Sequence, residues 1–118
     1  MEQSEPLSRA DEVQLTATYL QDDEVIYTAT QIFDALSDYT RFRILGALTQ
    51  RELSVSDLVE LCGVSQSAIS HQLRLLRDRG LVSTRREGQR AIYTLADDHV
   101  ATLIRVGLEH AGHWNLED

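Results

Sequence analysis

Apolar side chains recur at helical spacing through the first third of the chain and again near its end. Between residues 11 and 36 they fall every three or four positions, and the acidic run 22–24 allows a break within this stretch. A second pattern with the same period covers residues 42–48, and a third runs from position 97 or 98 to about 112. The sequence therefore predicts amphipathic helices at both ends of the chain and one between them.

Capping residues and glycines mark two further helices in the middle of the chain. Residues 54–57 form a Ser-x-x-Asp capping box that opens a short helix, and Gly63 offers the left-handed residue that ends it. Ser65 then caps the next helix, which is expected to run to about Arg79 and to end at Gly80. A short helix, a glycine turn and a second helix follow one another here.

The hydrophobic period changes after this second helix. Residues 81–85 and 90–95 are short runs rich in β-branched side chains, and the polar residues 86–89 separate them, so a hairpin is predicted. The fold class is therefore mainly α with a small β-hairpin. The order of helix, turn, helix and hairpin is that of a winged helix-turn-helix.

Length and composition suit one domain. The chain has 118 residues and a mass of 13.3 kDa, and 42% of its residues are hydrophobic. Residues 1–10 are polar and are expected to form a flexible tail, which leaves 11–118 as the folded domain. No apolar run approaches the roughly 18 residues of a membrane span, and no secretory signal is evident, so a cytoplasmic protein without membrane partners is expected.

The charge is unevenly distributed. The chain carries a net charge of −8, and residues 1–40 alone hold nine acids against one arginine. Residues 65–93 hold six arginines against two acids, a local net charge of +4. Since salt screens charges beyond about 10 Å, contact with phosphate depends on this local basic zone and not on the net charge of the whole chain.

The basic zone coincides with the second helix and the hairpin, which makes both candidates for DNA binding. The start of a recognition helix meets base edges, where Gln and Ser side chains pair with bases. A solvated polar helix face would look the same by itself, but the basic hairpin directly behind it favours double-stranded operator DNA. The candidate DNA-binding residues are Ser65, Gln66, Ser67, Ser70, His71, Arg74, Arg85, Arg86, Gln89 and Arg90.

Two stretches of the chain resemble the ArsR/SmtB family of bacterial metal-sensing repressors. Residues 35–45 are similar to the entry helix of that family, and residues 63–76 are similar to its recognition helix and preceding turn. The resemblance extends over about residues 25–113. It implies a homodimer, formed through the N- and C-terminal helices, that binds a palindromic operator and leaves it when an inducer binds.

The last helix carries a set of candidate metal ligands: Asp97, His99, His110 and His113. His110 and His113 share one helix face, whereas His99 lies about three turns, or roughly 16 Å, away from His110. Zinc–nitrogen bonds are only about 2.0–2.1 Å long, so one copy of the helix cannot bring the four side chains to one ion, although two antiparallel copies can. Surface histidines beside a capping aspartate are the alternative interpretation.

The resemblance favours the metal site, because zinc-sensing members of the family carry an Asp-x-His…His-x-x-His pattern on their last helix. Three imidazoles and one carboxylate suit Zn(II), with Co(II) as a substitute. The resemblance also implies that a ligating histidine contacts a backbone carbonyl near residues 79–80. Thiol-based sensors carry cysteines where this chain reads 54–56, Ser-Val-Ser, and the lone Cys62 lies on an apolar face typical of a core residue.

The sequence thus predicts a zinc-responsive repressor whose metal-free homodimer binds operator DNA and is released by Zn(II). The alternative is a repressor of the same family that answers a non-metal signal or a partner, with structural histidines. No catalytic residues are identified, since a metalloenzyme would need an open ligand position and a general base. Neither enzyme activity nor a small organic substrate is expected.

Overall fold

The computed structural model describes residues 5–113 in full and the backbone of residues 114–116. Their backbone contacts divide the chain into two units, which meet in sequence between Gln31 and Ile32. The elements in chain order are α1 (Arg9–Tyr19), α2 (Asp23–Leu36), α3 (Tyr39–Leu48), β1 (Leu53–Ser54), α4 (Val55–Cys62), α5 (Gln66–Asp78), β2 (Val82–Glu87), β3 (Arg90–Leu95) and α6 (Asp98–Leu116).

The first unit contains α1 and the greater part of α2. Ser8 caps α1, since its Oγ accepts a hydrogen bond from the backbone N–H of Asp11 at 3.1 Å. Helix α1 begins at Arg9, so its first residues overlap the predicted tail over residues 1–10, of which residues 1–4 lie outside the described part of the chain. The break near the acidic run is confirmed: Asp22 accepts from the N–H groups of Glu24 and Val25 and so opens α2.

Side-chain caps open the helices of the second unit, and those predicted for α4 are confirmed. Asp38 caps α3 by accepting from the N–H of Arg41 at 3.0 Å. Ser54 and Asp57 form the complete capping box at the start of α4, and Gly63 ends that helix with a φ of 67°. Only glycine adopts this left-handed conformation without strain, so the turn into α5 depends on it.

Three strands form one antiparallel sheet in the order β1-β3-β2. The predicted hairpin is β2 and β3, and its turn is tighter than expected because Glu87 still pairs with Arg90. Gly88 lies in this turn with a φ of 65°. Strand β1 was not predicted, since two residues are too few to show an alternating pattern; it pairs with β3.

The core of the second unit lies between α3, α4, α5, α6 and the base of the hairpin. Its largest fully buried side chains are Ile44, Leu45, Leu58, Ile69, Leu73, Leu76, Leu81 and Ile104. Cys62 belongs to this core, as predicted, and burial raises the pKa of its thiol more than nearby Arg43 lowers it.

Helix α6 continues beyond the predicted residue 112 to Leu116. None of the helices in the described part of the chain combines the length and the apolar character that a membrane span requires.

Candidate nucleic-acid interface

Helix α5 separates its apolar and polar side chains onto opposite faces. Ile69, Leu73 and Leu76 are buried on the inner face, at the spacing of a helix that packs along one side. Five of the predicted DNA-binding residues lie together on the exposed face and line one shallow depression: Gln66, Ser67, Ser70, His71 and Arg74. Ser65 is the N-cap of the same helix, where its Oγ accepts from the N–H of Ala68 at 3.1 Å.

Gln72 belongs to the same polar run in the sequence but has a different role. The guanidinium of Arg41 donates to its side-chain oxygen at 3.1 Å, and the Nε of Arg41 donates to the carbonyl of Ala35 at 2.8 Å. Both Arg41 and Gln72 are half-buried. Sequence reasoning did not identify this contact, because residues 31 positions apart give no local signal.

The hairpin continues the exposed face of α5 into a wing. Gln66, at the start of α5, lines one groove together with Arg86, Gln89 and Arg90 of the hairpin and with residues 54–56 at the start of α4. The predicted residues of the helix and of the hairpin are therefore adjacent in space. An extended polar surface of this kind can meet base edges and the neighbouring backbone at once.

The wing arginines differ in their partners. Arg86 donates to the carbonyl of Gln89 at 3.4 Å, within its own turn. Arg90 lies 3.5 Å from Oδ2 of Asp57, the acid of the capping box. Arg85 makes a two-pronged contact with Glu52 and donates to Glu87 at 3.1 Å.

These contacts shift the pKa values of the paired side chains. The hydrogen bond from Arg85 lowers the pKa of Glu52 and raises the pKa of Arg85. The backbone hydrogen bond from Ser54 lowers the pKa of Asp57, and Arg90 adds to the effect. Sequence reasoning did not identify Glu52 and Asp57 as partners of the wing arginines, since these contacts depend on the register of the sheet and on the position of α4.

The candidate metal ligands lie at two ends of α6. Asp97 caps the helix, as its Oδ1 accepts from the N–H of Val100 at 3.0 Å, and Nδ1 of the almost fully exposed His99 lies 3.9 Å from the same oxygen. His110 and His113 are exposed in the last turns of the helix. Among the described residues of one protomer, no three His, Cys, Asp or Glu side chains are grouped so that they could hold a metal ion.

Comparison with known proteins gives a consistent picture. The family model described as "Bacterial regulatory protein, arsR family" matches residues 38–84. The HTH-type transcriptional regulator NmtR of Mycobacterium tuberculosis is 47% identical to the chain over 73 residues, which cover 62% of this chain and 61% of that protein. The match thus spans less than two thirds of that relative's length.

Two solved structures share the fold over most of the chain. HlyU from Vibrio cholerae superposes with a TM-score of 0.69 at 36% identity, covering 72% of this chain and 92% of its own. A homodimeric winged helix-turn-helix DNA-binding domain from Mycobacterium bovis superposes with a TM-score of 0.75 at 28% identity, covering 80% and 88% respectively. The winged helix-turn-helix predicted from the sequence is therefore confirmed.

Proposed function

Because the chain belongs to the arsR family of bacterial regulatory proteins, we propose that it is a transcriptional repressor that binds operator DNA as a homodimer and releases it when Zn(II) binds. The observation that carries the DNA-binding part is the continuous polar surface formed by α5 and the wing, which meet at Gln66. Such a regulator works in the bacterial cytoplasm and needs no catalytic residue.

The exposed face of α5 is the part that reads sequence. Gln66, Ser67, Ser70 and His71 lie in the first two turns, the part of a recognition helix that enters the major groove. Ser65 caps the N-terminal end of the helix. Arg74 lies one turn beyond His71, where a guanidinium reaches phosphate. Arg86, Gln89 and Arg90 extend the contact from the wing to the adjacent backbone.

A second copy of the chain is the proposed partner. Leu103, Val106 and Leu108 are exposed apolar side chains of α6, in a helix whose Val100 and Ile104 are buried. Helix α1 buries no side chain and exposes another apolar set: Val13, Leu15 and Tyr19. Apolar surface of this extent is typical of an interface, and the related Mycobacterium bovis domain is a homodimer. A dimer also supplies two reading heads for a palindromic site.

The donor set on α6 fits Zn(II) chemically. Three imidazoles and one carboxylate complete a tetrahedral shell without an open position, which suits a regulatory ion. Within one protomer the pair Asp97 and His99 and the pair His110 and His113 lie at separate ends of α6. We therefore propose that each ion takes one pair from each protomer and links the two last helices.

Two findings favour a second candidate. The relative HlyU of Vibrio cholerae is named a transcriptional activator, and Asp97 already has a structural task as the cap of α6. A regulator of the same fold that answers a non-metal signal or a partner, with structural histidines, is the alternative. It predicts DNA binding that metal does not change.

A Co(II) titration of the metal-free protein, followed by optical absorption and then by displacement with Zn(II), separates the two candidates. Intense ligand-field bands without sulfur charge transfer, saturating at one ion per protomer, support the proposed site. The same samples are then tested for binding to a duplex that the metal-free protein selects from a random-sequence pool. Weak six-coordinate absorption, or duplex binding that Zn(II) leaves unchanged, contradicts the zinc-responsive function.

A further inference from the structure

The two neighbouring arginines of β2 leave the strand in opposite directions. Successive side chains of a strand point to opposite faces of the sheet, and Arg86 lines the groove that it shares with Gln66. Arg85, by contrast, turns its guanidinium to the carboxylate of Glu52. Its Nη1 donates to Oε2 and its Nη2 donates to Oε1 of that carboxylate, the second bond being 2.9 Å long.

The contact between Arg85 and Glu52 spans the full width of the sheet. Glu52 directly precedes β1, and β3 lies between β1 and β2. Ile92 of β3 pairs with Arg85 on one side and with Ser54 on the other. Two parallel N–H···O bonds fix the plane of a guanidinium as well as its distance. Arg85 is therefore tied to the residue that leads into the helix-turn-helix.

A third carboxylate oxygen completes the surroundings of Arg85. Its Nη2 also donates to Oε2 of Glu87 at 3.1 Å, so two acids face this one guanidinium. Arg86 has a carbonyl partner within its own turn, that of Gln89, and the described contacts give its guanidinium no carboxylate. The charge of Arg85 is thus balanced within the protein, whereas the charge of Arg86 is available to phosphate.

We propose that Glu52 is a positioning residue that withholds Arg85 from DNA, so that the wing binds the phosphate backbone through Arg86. The inference rests on the proposed DNA binding and specifies which guanidinium performs it. A guanidinium that neutralises a phosphate releases a counterion and steepens the salt dependence of binding. One that stays with Glu52 and Glu87 adds nothing to that dependence. Glu52 therefore limits the salt-sensitive, sequence-independent part of the affinity.

The test measures the dependence of duplex affinity on salt concentration for the metal-free dimer. The probe is a short duplex that the wild-type chain selects from a random-sequence pool. Each lost phosphate contact reduces the slope of log K against log salt by about 0.9, so Arg86→Ala should reduce it by about 1.8 in a dimer. Arg85→Ala should leave the slope unchanged, and Glu52→Gln should steepen it by up to about 1.8 as Arg85 is released.

The double variant Glu52→Gln with Arg85→Ala provides the control. Its slope should return to the wild-type value, because the released guanidinium is no longer present; loss of a merely structural ion pair would not produce this reversal. The inference is overturned if Arg85→Ala reduces the slope as much as Arg86→Ala does, or if Glu52→Gln leaves the slope unchanged. Either result leaves the proposed function intact. Failure of the wild-type chain to bind any duplex overturns the proposed function, and the inference with it.

Discussion

Arg41 of α3 holds Gln72 of α5 through a hydrogen bond of 3.1 Å between Nη1 and Oε1. The same guanidinium donates from Nε to the carbonyl of Ala35, the buried residue near the end of α2. One side chain thus connects the end of α2 with the middle of α5. The orientation of the proposed DNA-reading face therefore depends on a residue outside that face.

Replacing Arg41 by alanine should lower both stability and DNA affinity. Each hydrogen bond to a charged group contributes about 1.5–3 kcal/mol, and solvent exposure reduces the contribution, so the free energy of unfolding should fall by about 1–3 kcal/mol. Chemical denaturation followed by circular dichroism measures this change. The matched control is Arg77→Ala, at an exposed position of α5, which should change the free energy by less than about 0.5 kcal/mol. Equal effects of the two substitutions would contradict the structural role of Arg41.

Two glycines should respond to alanine with opposite signs. Gly63 ends α4 with a φ of 67°, and a Cβ there would meet no atom within 4 Å, so the backbone conformation alone makes Gly63→Ala unfavourable, by about 1–2 kcal/mol. Gly46 lies within α3, where a Cβ would also meet no atom within 4 Å. Gly46→Ala should stabilise the protein by about 0.5–1 kcal/mol, because alanine is the better helix former.

Denaturation midpoints of the two alanine variants, compared with that of the wild type, test this pair. A stabilising Gly63→Ala substitution would mean that the turn between α4 and α5 relaxes out of the left-handed region. A destabilising Gly46→Ala substitution would mean that α3 has less room at this position than the structure shows. Neither position contributes a side chain to the proposed DNA-binding surface, so both variants should retain their affinity for a duplex.

The sequence predicted those parts of the fold that local chemistry determines. Each capping residue acts on the end of its own helix. The structure shows the predicted caps at their predicted positions: Ser54 with Asp57, Gly63 and Ser65. Strand β1 has only two residues and exists because β3 supplies hydrogen-bond partners from a distant part of the chain. No pattern within the strand itself could reveal it.

The proposed DNA-binding surface likewise has parts that local sequence predicts and parts that only the tertiary structure shows. The exposed face of α5 follows from helical period alone, and its members lie together as the spacing requires. The partners of Arg85 and Arg90 could not be read from the sequence, because Glu52 and Asp57 reach them only through the register of the sheet and the position of α4. Charge counting therefore identified a basic zone but not the two acids outside it, Glu52 and Asp57, that pair with its arginines.

Acid should destabilise the protein partly through Asp57. Its pKa in the folded protein is lowered, chiefly by the hydrogen bond from the N–H of Ser54, from an ordinary value of 3.8. A carboxylate of this kind stabilises the folded state above its ordinary pKa, and the stabilisation is lost as the pH falls through the lower, folded value. The free energy of unfolding should thus decrease as the pH falls below about 4.

The variant Asp57→Asn isolates this contribution. The asparagine oxygen can still accept from Ser54, but it does not titrate, so the variant should lose less stability than the wild type over the same acidic interval. Urea titrations at a series of pH values provide the comparison. Parallel pH profiles for the two proteins would show that other carboxylates, such as Glu52 with its similarly lowered pKa, account for the acid sensitivity.

Substituting a histidine of the proposed metal site and one of the proposed DNA-binding surface should affect different properties of the protein. His110→Ala should abolish the response to Zn(II) and leave duplex binding by the metal-free protein intact, because His110 is exposed on α6 and belongs to the proposed metal site. His71→Ala should have the opposite effect: it should weaken duplex binding with and without Zn(II) while Co(II) absorption stays unchanged, since His71 lies on the exposed face of α5. Fluorescence anisotropy with a labelled duplex, alongside Co(II) absorption, measures both properties on the same samples. If His110→Ala instead reduces duplex binding by the metal-free protein, the histidine is structural, and the chain answers a signal other than zinc.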